Sequence, residues 1–441
     1  MNTRMSKLLF VEYKQKLVGL LIQDGRVTAV AVRPLMDESA PKIGAVYIGK
    51  VKQVLQNIGA CFVDIGDKED CFLSFSNLHS PLLTNRNYTG SILQGDELVV
   101  QVSGDPVKQK QRTVTAKVTL QGRYFILSTD APRLNFSSKI PKAARRLILE
   151  HLEEKGIVDD SHTLIQKQRS NCDDGDVTFG LIVRTLLGSI LESSDPAVWH
   201  EVWSEYDTLY HELVTICTQY SHRTVFSCLK EAPDLFESIL EQIGNEEIDE
   251  IITDIPSLYQ QMTKKLQASV LTKQIKVRLY PPEETISLSK LYSIETKIRE
   301  LLHPKVWLKS GAYLLIEPTE ALTVIDVNTG KAIHTATKAA TKVDKNILQI
   351  NLEAAEEIAI QLRARNISGI VIIDFISMRD KEFEKQLLGH LRGAVKKDPT
   401  KVNVMDITSL GLVELTRKRS ESPLKEQLSI ERNPIERNRN D

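Results

Sequence analysis

Cysteine is scarce in this 441-residue chain: there are five, Cys61, Cys71, Cys172, Cys217 and Cys228. The count is odd, no CxxC pair occurs, and no Cys or His cluster stands out as a metal site. That excludes a disulfide scaffold and a zinc-ribbon frame, and it fits reduced thiols in a reducing compartment. Net charge is nearly absent as well, with 57 Lys+Arg against 58 Asp+Glu. The chain is therefore no polycation, and a nucleic-acid partner would have to be met by local basic patches. No apolar run approaches the length of a membrane span. The stretch Met1–Phe10 lacks a secretory signal, and no long Ser/Arg-rich transit segment precedes the first strands. The protein is expected to be made where it works.

What is present describes an ordinary globular protein, 41% hydrophobic and 26% charged, long enough for two to four domains. Residues 8–33 alternate around Asp24-Gly25, a hairpin signal. Residues 43–103 read as short strands punctuated by Gly44, Gly49, Gly59 and Gly66, the pattern of a small barrel. Helices are predicted over 142–154 and 197–218, a short strand over 179–183, and a mixed region over 232–280. After Pro281-Pro282 the pattern becomes α/β. A hairpin over 313–317 and 322–328 leads to a helix striped by Ile350, Ala355, Ile358 and Leu362, then to a strand ending at Asp374. A helix over 381–397 and a strand over 402–407 follow. From Lys418 the chain is charged and reads as a disordered tail.

Two aspartates interrupt apolar strands, Asp326 in VIDVN and Asp374 in IVIIDF. A carboxylate within a buried β-branched run needs its charge compensated, and a bound metal is the simplest compensation. Asn328 shares a strand face with Asp326, which adds an amide oxygen. Two carboxylates and an amide oxygen are hard donors suited to Mg²⁺. The alternative is that each Asp ends its strand and caps a turn. In the predicted barrel, Phe62 and Phe72 sit on adjacent strands near Lys50, Lys52 and Lys68. Aromatics on a basic barrel face bind single strands by stacking; the alternative is that both rings are core. Arg184-Thr185 closes an apolar strand and could grip a phosphate, although for the dipeptide taken alone a surface salt bridge is the better explanation. Lys331 could contact a scissile phosphate, and Lys396, Lys397 and Lys401 could guide a nucleic-acid backbone.

These residues resemble the RNase E/RNase G family of endoribonucleases. The resemblance is carried by YIGKVKQVLQNIGACFVDIG (47–66), GLIVRT (180–185), VIDVNTGK (324–331) and NLEAAEEIAIQLRARNISGIVIIDFISM (351–378), in the family's order. It covers roughly residues 1–417. It implies an α/β multidomain chain: an RNase H-like subdomain from 1–37 and 225–281, an inserted OB-fold RNA-binding barrel of the S-one type over 38–118, a 5′-sensor over 119–224, and a DNase I-like subdomain over 282–417. It also implies Asp326 and Asp374 as Mg²⁺ ligands supported by Asn328, and Phe62, Phe72 and Lys110 as barrel residues holding RNA. Gly122, Ile126, Arg184 and Thr185 become the 5′-monophosphate pocket. The implied activity is hydrolysis of single-stranded, A/U-rich RNA to 5′-phosphate and 3′-hydroxyl ends, in rRNA, tRNA and transcript processing and in mRNA decay.

The departures carry expectations too. Many relatives have a Cys pair after the DNase I-like subdomain that forms an intersubunit zinc link; here no Cys follows Cys228, so no structural zinc is expected. Whether a homo-oligomer forms without that link is left open. No degradosome scaffold segment is expected. Ser377 stands where some relatives carry a further Asp, and 155–178 matches poorly. The compact form is most similar to plastid-type members, so a plastid stroma fits as well as a bacterial cytoplasm. Two other readings stay open: an RNA-binding regulator without catalysis, and a DNA nuclease.

Overall fold

The structure is a computed structural model describing residues 5–35, 43–78, 81–104, 111–129, 131–165, 179–191, 195–244, 248–267, 269, 272, 275–281, 283–330, 340–419 and 421–429. It is a mixed α/β chain that divides into two compact units. The first comprises Met1–Asp37, Leu235–Ala268 and Thr272–Asp441; the second comprises Glu38–Asp234 and Ser269–Leu271.

The first unit holds two sheets. In one, the strands run Lys276–Leu279, Glu250–Thr253, Ser6–Tyr13, Lys16–Gln23 and Arg26–Pro34 from edge to edge. Asp24 (φ 51°) and Gly25 (φ 78°) close the predicted hairpin in the left-handed conformation that suits a right-twisted two-residue turn. This sheet is buried on both faces. Leu9, Val11, Val18 and Leu20 pack on one side with Leu288, Ile294 and Ile298, while Leu8, Phe10, Leu17 and Leu21 pack on the other with Phe236, Ile239 and Met262.

The second sheet runs Lys305–Trp307, Tyr313–Pro318, Leu322–Asn328, Gly369–Asp374, Val413–Arg417, Val402–Ile407. Its two parallel neighbours, Leu322–Asn328 and Gly369–Asp374, are joined through the helix Ala340–Ala364, the crossover that parallel pairing demands. Asn366 (φ 50°) ends that helix in the left-handed region, and the Ile367 N–H returns to the Leu362 carbonyl at 3.0 Å. One face of the sheet is closed: Ile325, Val327, Val371, Ile373 and Leu415 pack with Ile358, Leu362, Leu387 and Leu391 from the helices Ala340–Ala364 and Lys381–Val395. The residues between them on each strand face outward.

The second unit contains a closed five-strand barrel of OB-like form: Val46–Leu55, Ala60–Asp64, Cys71–Ser74, Thr113–Thr115 and Glu97–Gly104, the last pairing again with the first. Gly49 is required where its strand lies against Val63 of the next, since a Cβ there would stand 2.5 Å from the Val63 Cγ1. A second sheet, Leu134–Phe136, Gly180–Val183, Phe125–Ser128 and Thr119–Gln121, packs against the long helix Pro196–Gln219 through Phe125, Leu181, Val202 and Leu213.

The mixed region resolves into a helix Leu235–Ile243, a strand, a helix Pro256–Gln267 and a strand. The expectation of disorder from Lys418 fails over 421–429. A short helix, Leu424–Gln427, buries Leu424 and Leu428 in the core beside Leu9 and Val18. Two leucines suffice to anchor a segment whose average composition is polar.

Candidate active site

Asp326 and Asp374 are register partners on adjacent parallel strands. Because alternate residues of a strand share a face, both carboxylates stand on the open side of the sheet, away from the two helices. The sequence reading put them inside buried runs. The structure corrects this: Asp326 is half-buried and Asp374 exposed, and even Ile370, two pairs away on the same face, is 49% exposed. A continuous apolar run is compatible with either burial pattern, so periodicity could not decide it.

Among the described residues neither aspartate forms an ion pair. Like charges directly opposite each other in a sheet repel, so the pair calls for a cation. No group of three Asp, Glu, His or Cys side chains gathers among the described residues. Two carboxylates with room for waters and phosphate oxygens are what Mg²⁺ accepts, whereas a structural zinc site wants four closed ligands. Asn328 was expected to lend an amide oxygen. Instead its amide nitrogen donates to the Asp326 Oδ2 at 2.7 Å, so it holds that carboxylate in place. Lys331 and Lys110 lie outside the described residues.

Lys401 is not brought to this pair. It precedes Val402, which pairs with Arg417, which in turn faces Gly369. That is the end of the sheet opposite Asp374, about 16 Å along the strand at roughly 3.3 Å per residue.

In the barrel, Phe62 and Phe72 are cross-strand partners with ring centroids 6.1 Å apart, tilted 67°. Their neighbours Cys61, Val63, Cys71 and Leu73 fill the barrel core, so both rings lie on its outer face and the core alternative falls. Their basic surroundings are more neutralised than expected. Lys52 pairs with Asp64 at 2.9 Å and Lys50 with Glu97 at 3.7 Å. Burial works against the Asp64 carboxyl, but the Gly66 N–H and Lys52 outweigh it and hold it below the ordinary value. Lys68 is exposed.

Gly122, Arg184 and Thr185 do come together. The Arg184 guanidinium donates to the Gly122 carbonyl, the Arg184 backbone N–H donates to the Tyr124 carbonyl at 2.8 Å, and the Thr185 hydroxyl lies 2.8 Å from that of Ser137. Ile126 pairs with Ile182, two residues before Arg184. Sequence reasoning missed the acid that organises this corner. The Glu205 carboxylate accepts the N–H groups of Arg123, Tyr124 and Phe125, at 2.9, 2.8 and 3.3 Å. It passes so close that a Cβ on Gly122 would meet it at 2.2 Å, so Gly122 is fixed by this approach. Glu201, one turn earlier, pairs with Arg123 and accepts from Ser269 at 2.8 Å. Burial raises the Tyr124 phenol, with Glu201 adding to it. The i, i+4 spacing of the two glutamates was the available signal, but it reads as an exposed helix face.

A model of the ribonuclease E/G family matches residues 119–420, more than half of the sequence. The chain belongs to the ribonuclease E/G family. It is 31% identical to ribonuclease E of Synechocystis over 393 residues, 87% of this chain and 53% of that protein. It is 30% identical to ribonuclease G of Escherichia coli K12 over 407 residues, 88% of this chain and 75% of that one. Ribonuclease E of Nostoc is 31% identical over 384 residues, with 51% of its length covered. The chain thus spans about half the length of these ribonuclease E relatives and three quarters of the ribonuclease G relative. Among the described residues no helix is long and apolar enough to cross a membrane.

Proposed function

We propose that Asp326 and Asp374 form the hydrolytic centre of this endoribonuclease, and that the centre depends on Mg²⁺. The observation that carries this is their direct pairing on one open sheet face in a ribonuclease E/G member. Mg²⁺ held there supplies Lewis acidity toward the phosphate and lowers the pKa of a water. Asp326 and Asp374 hold it, and Asn328 keeps the Asp326 carboxylate turned to the open face. Phe62 and Phe72 stack bases of a single-stranded RNA, with Lys110 and Lys401 as backbone contacts and Lys331 as a contact to the scissile phosphate. Cleavage leaves a 5′-phosphate and a 3′-hydroxyl.

In this reading Arg184 and Thr185, lined by Gly122 and Ile126, receive a 5′-monophosphate, so monophosphorylated, A/U-rich RNAs are favoured in rRNA, tRNA and transcript processing and in mRNA decay. The subdomains are those of the resemblance: RNase H-like, OB barrel, 5′-sensor and DNase I-like. A plastid stroma or a bacterial cytoplasm is the setting.

The test is a labelled A/U-rich single-stranded RNA with a 5′-monophosphate, incubated with Mg²⁺ and with native protein, Asp326→Asn or Asp374→Asn. Internal cleavage by native protein alone supports the reading. Cleavage surviving in both variants overturns the assignment of the centre. Tight binding without cleavage by any of the three favours the regulator. Equal cleavage of 5′-monophosphate and 5′-hydroxyl RNAs removes the sensor claim.

A further inference from the structure

The edge strand Lys305–Trp307 carries an aromatic cluster that the reading above leaves unused. Val306 packs toward the core, so Lys305 and Trp307 turn to the open face. Trp307 is 56% exposed. Its register partner is Tyr313, with ring centroids 5.3 Å apart and planes at 61°. The Lys305 Nζ lies 3.7 Å from the Tyr313 ring centre and 4.1 Å from that of Trp307. An exposed tryptophan on a sheet edge buries little area and invites unwanted pairing, so core packing does not account for it.

Register places the cluster beside the acid pair. Tyr313 faces Asn328 on the next strand, and Lys305, Leu315, Asp326 and Asp374 make the adjoining row. Trp307 is thus two strands from Asn328, about 10 Å at roughly 4.8 Å per strand, on the same face of the same sheet. The ammonium sits over one face of each ring, while the 56% exposed Trp307 keeps surface open; an open aromatic surface with a cation close by matches a nucleotide, whose base stacks and whose phosphate is anionic.

We propose that Trp307 and Tyr313, with Lys305, form a base-stacking subsite that holds a nucleotide neighbouring the one cleaved at Asp326 and Asp374. The position of the subsite rests on the proposed hydrolytic centre; its binding does not. A single-stranded 12-nucleotide RNA is titrated in excess EDTA by fluorescence anisotropy, with its integrity checked on a gel. Trp307→Ala should weaken binding about 5- to 150-fold, the loss of one stacked base, and Trp307→Phe should retain most of the affinity. Because Trp307 is exposed, the melting temperature should hold. Scanning one abasic nucleotide along the RNA should find a position where native protein loses affinity and Trp307→Ala loses none. Unchanged binding with a flat scan overturns the proposal. So does a lowered melting temperature with unchanged binding, which makes the cluster an edge brace, or a changed oligomeric state with unchanged binding, which makes it a protein contact. None of these outcomes touches the Asp326→Asn result, so the two readings fail separately.

Discussion

The two ends of one sheet treat carboxylates in opposite ways. At one end Asp398, 2% exposed at its side chain, is held by Arg417 at 2.8 Å, and Arg417 also donates to the Asn366 Oδ1 at 2.7 Å. At the other end Asp326 and Asp374 face each other with no described cation. The strands, the covering helices and the core are shared, so the difference lies in the partners. Where a carboxylate serves the scaffold, the fold supplies its counter-charge. Where the described residues supply none, as at Asp326 and Asp374, the proposed centre leaves the counter-charge to a ligand. On the proposed reading, charge compensation separates the structural acid Asp398 from the functional pair on one sheet.

The largest effect expected is on cleavage. Asp326→Asn or Asp374→Asn should lower the rate at least about 10³-fold, since several kcal/mol of charge stabilisation is lost. The same variants should melt no lower than native protein without metal, because a like-charge repulsion is removed. Added Mg²⁺ should raise the melting temperature of native protein only. Next, Arg417→Met should cost about 3–5 kcal/mol in urea unfolding by stranding a buried charge. The double change Arg417→Met with Asp398→Leu should recover most of that loss. If Arg417→Met is silent, the contrast between the two ends collapses.

Asn328→Ala tests the positioning hydrogen bond. A 10- to 100-fold loss is typical for such partners, seen here as a higher Mg²⁺ requirement for cleavage with an unchanged melt. The smallest effect concerns Asp96 in the barrel, a compensated acid in the other unit. Burial alone would raise its carboxyl, but Arg86, at 2.6 Å to each oxygen, and the Leu93 N–H at 2.7 Å outweigh it and hold it below the ordinary value. A depressed carboxyl adds stability above its unfolded pKa of about 3.9 and loses it as pH falls through the folded value. Denaturation midpoints should therefore drop below about pH 4 in native protein, and less steeply in Asp96→Asn.

Much of this was legible in the residues. The Asp24-Gly25 hairpin, the barrel strands, the helix from 142 and the strand-helix-strand unit around Asp326 and Asp374 all announce themselves through local turn chemistry and periodicity. What was not legible depends on pairing between distant segments. Whether IVIIDF is closed on one face or two is decided by helices outside the strand, so burial of the aspartates was misjudged. Phe62 and Phe72 could be assigned to the outer face only once Cys61 and Val63 were seen to fill the core. Glu205 looks like any exposed helix acid until the 122–125 turn is laid against it, and the Trp307 edge strand spans three residues, too few to carry a period.

The helix Leu424–Gln427 bears on how the chain is made. Arg33 pairs with Glu421 at 3.0 Å, and Leu424 and Leu428 share a core with Leu9 and Val18. During synthesis the second unit can be nearly completed once residue 234 has emerged, but the first hairpin must wait. At about 5–20 residues per second, the roughly 200 residues between Pro34 and Leu235 take about 10–40 s to appear. Through that interval, strands destined for burial on both faces lack their covering helices. Among the described residues, Leu424 and Leu428 are the last to join that core.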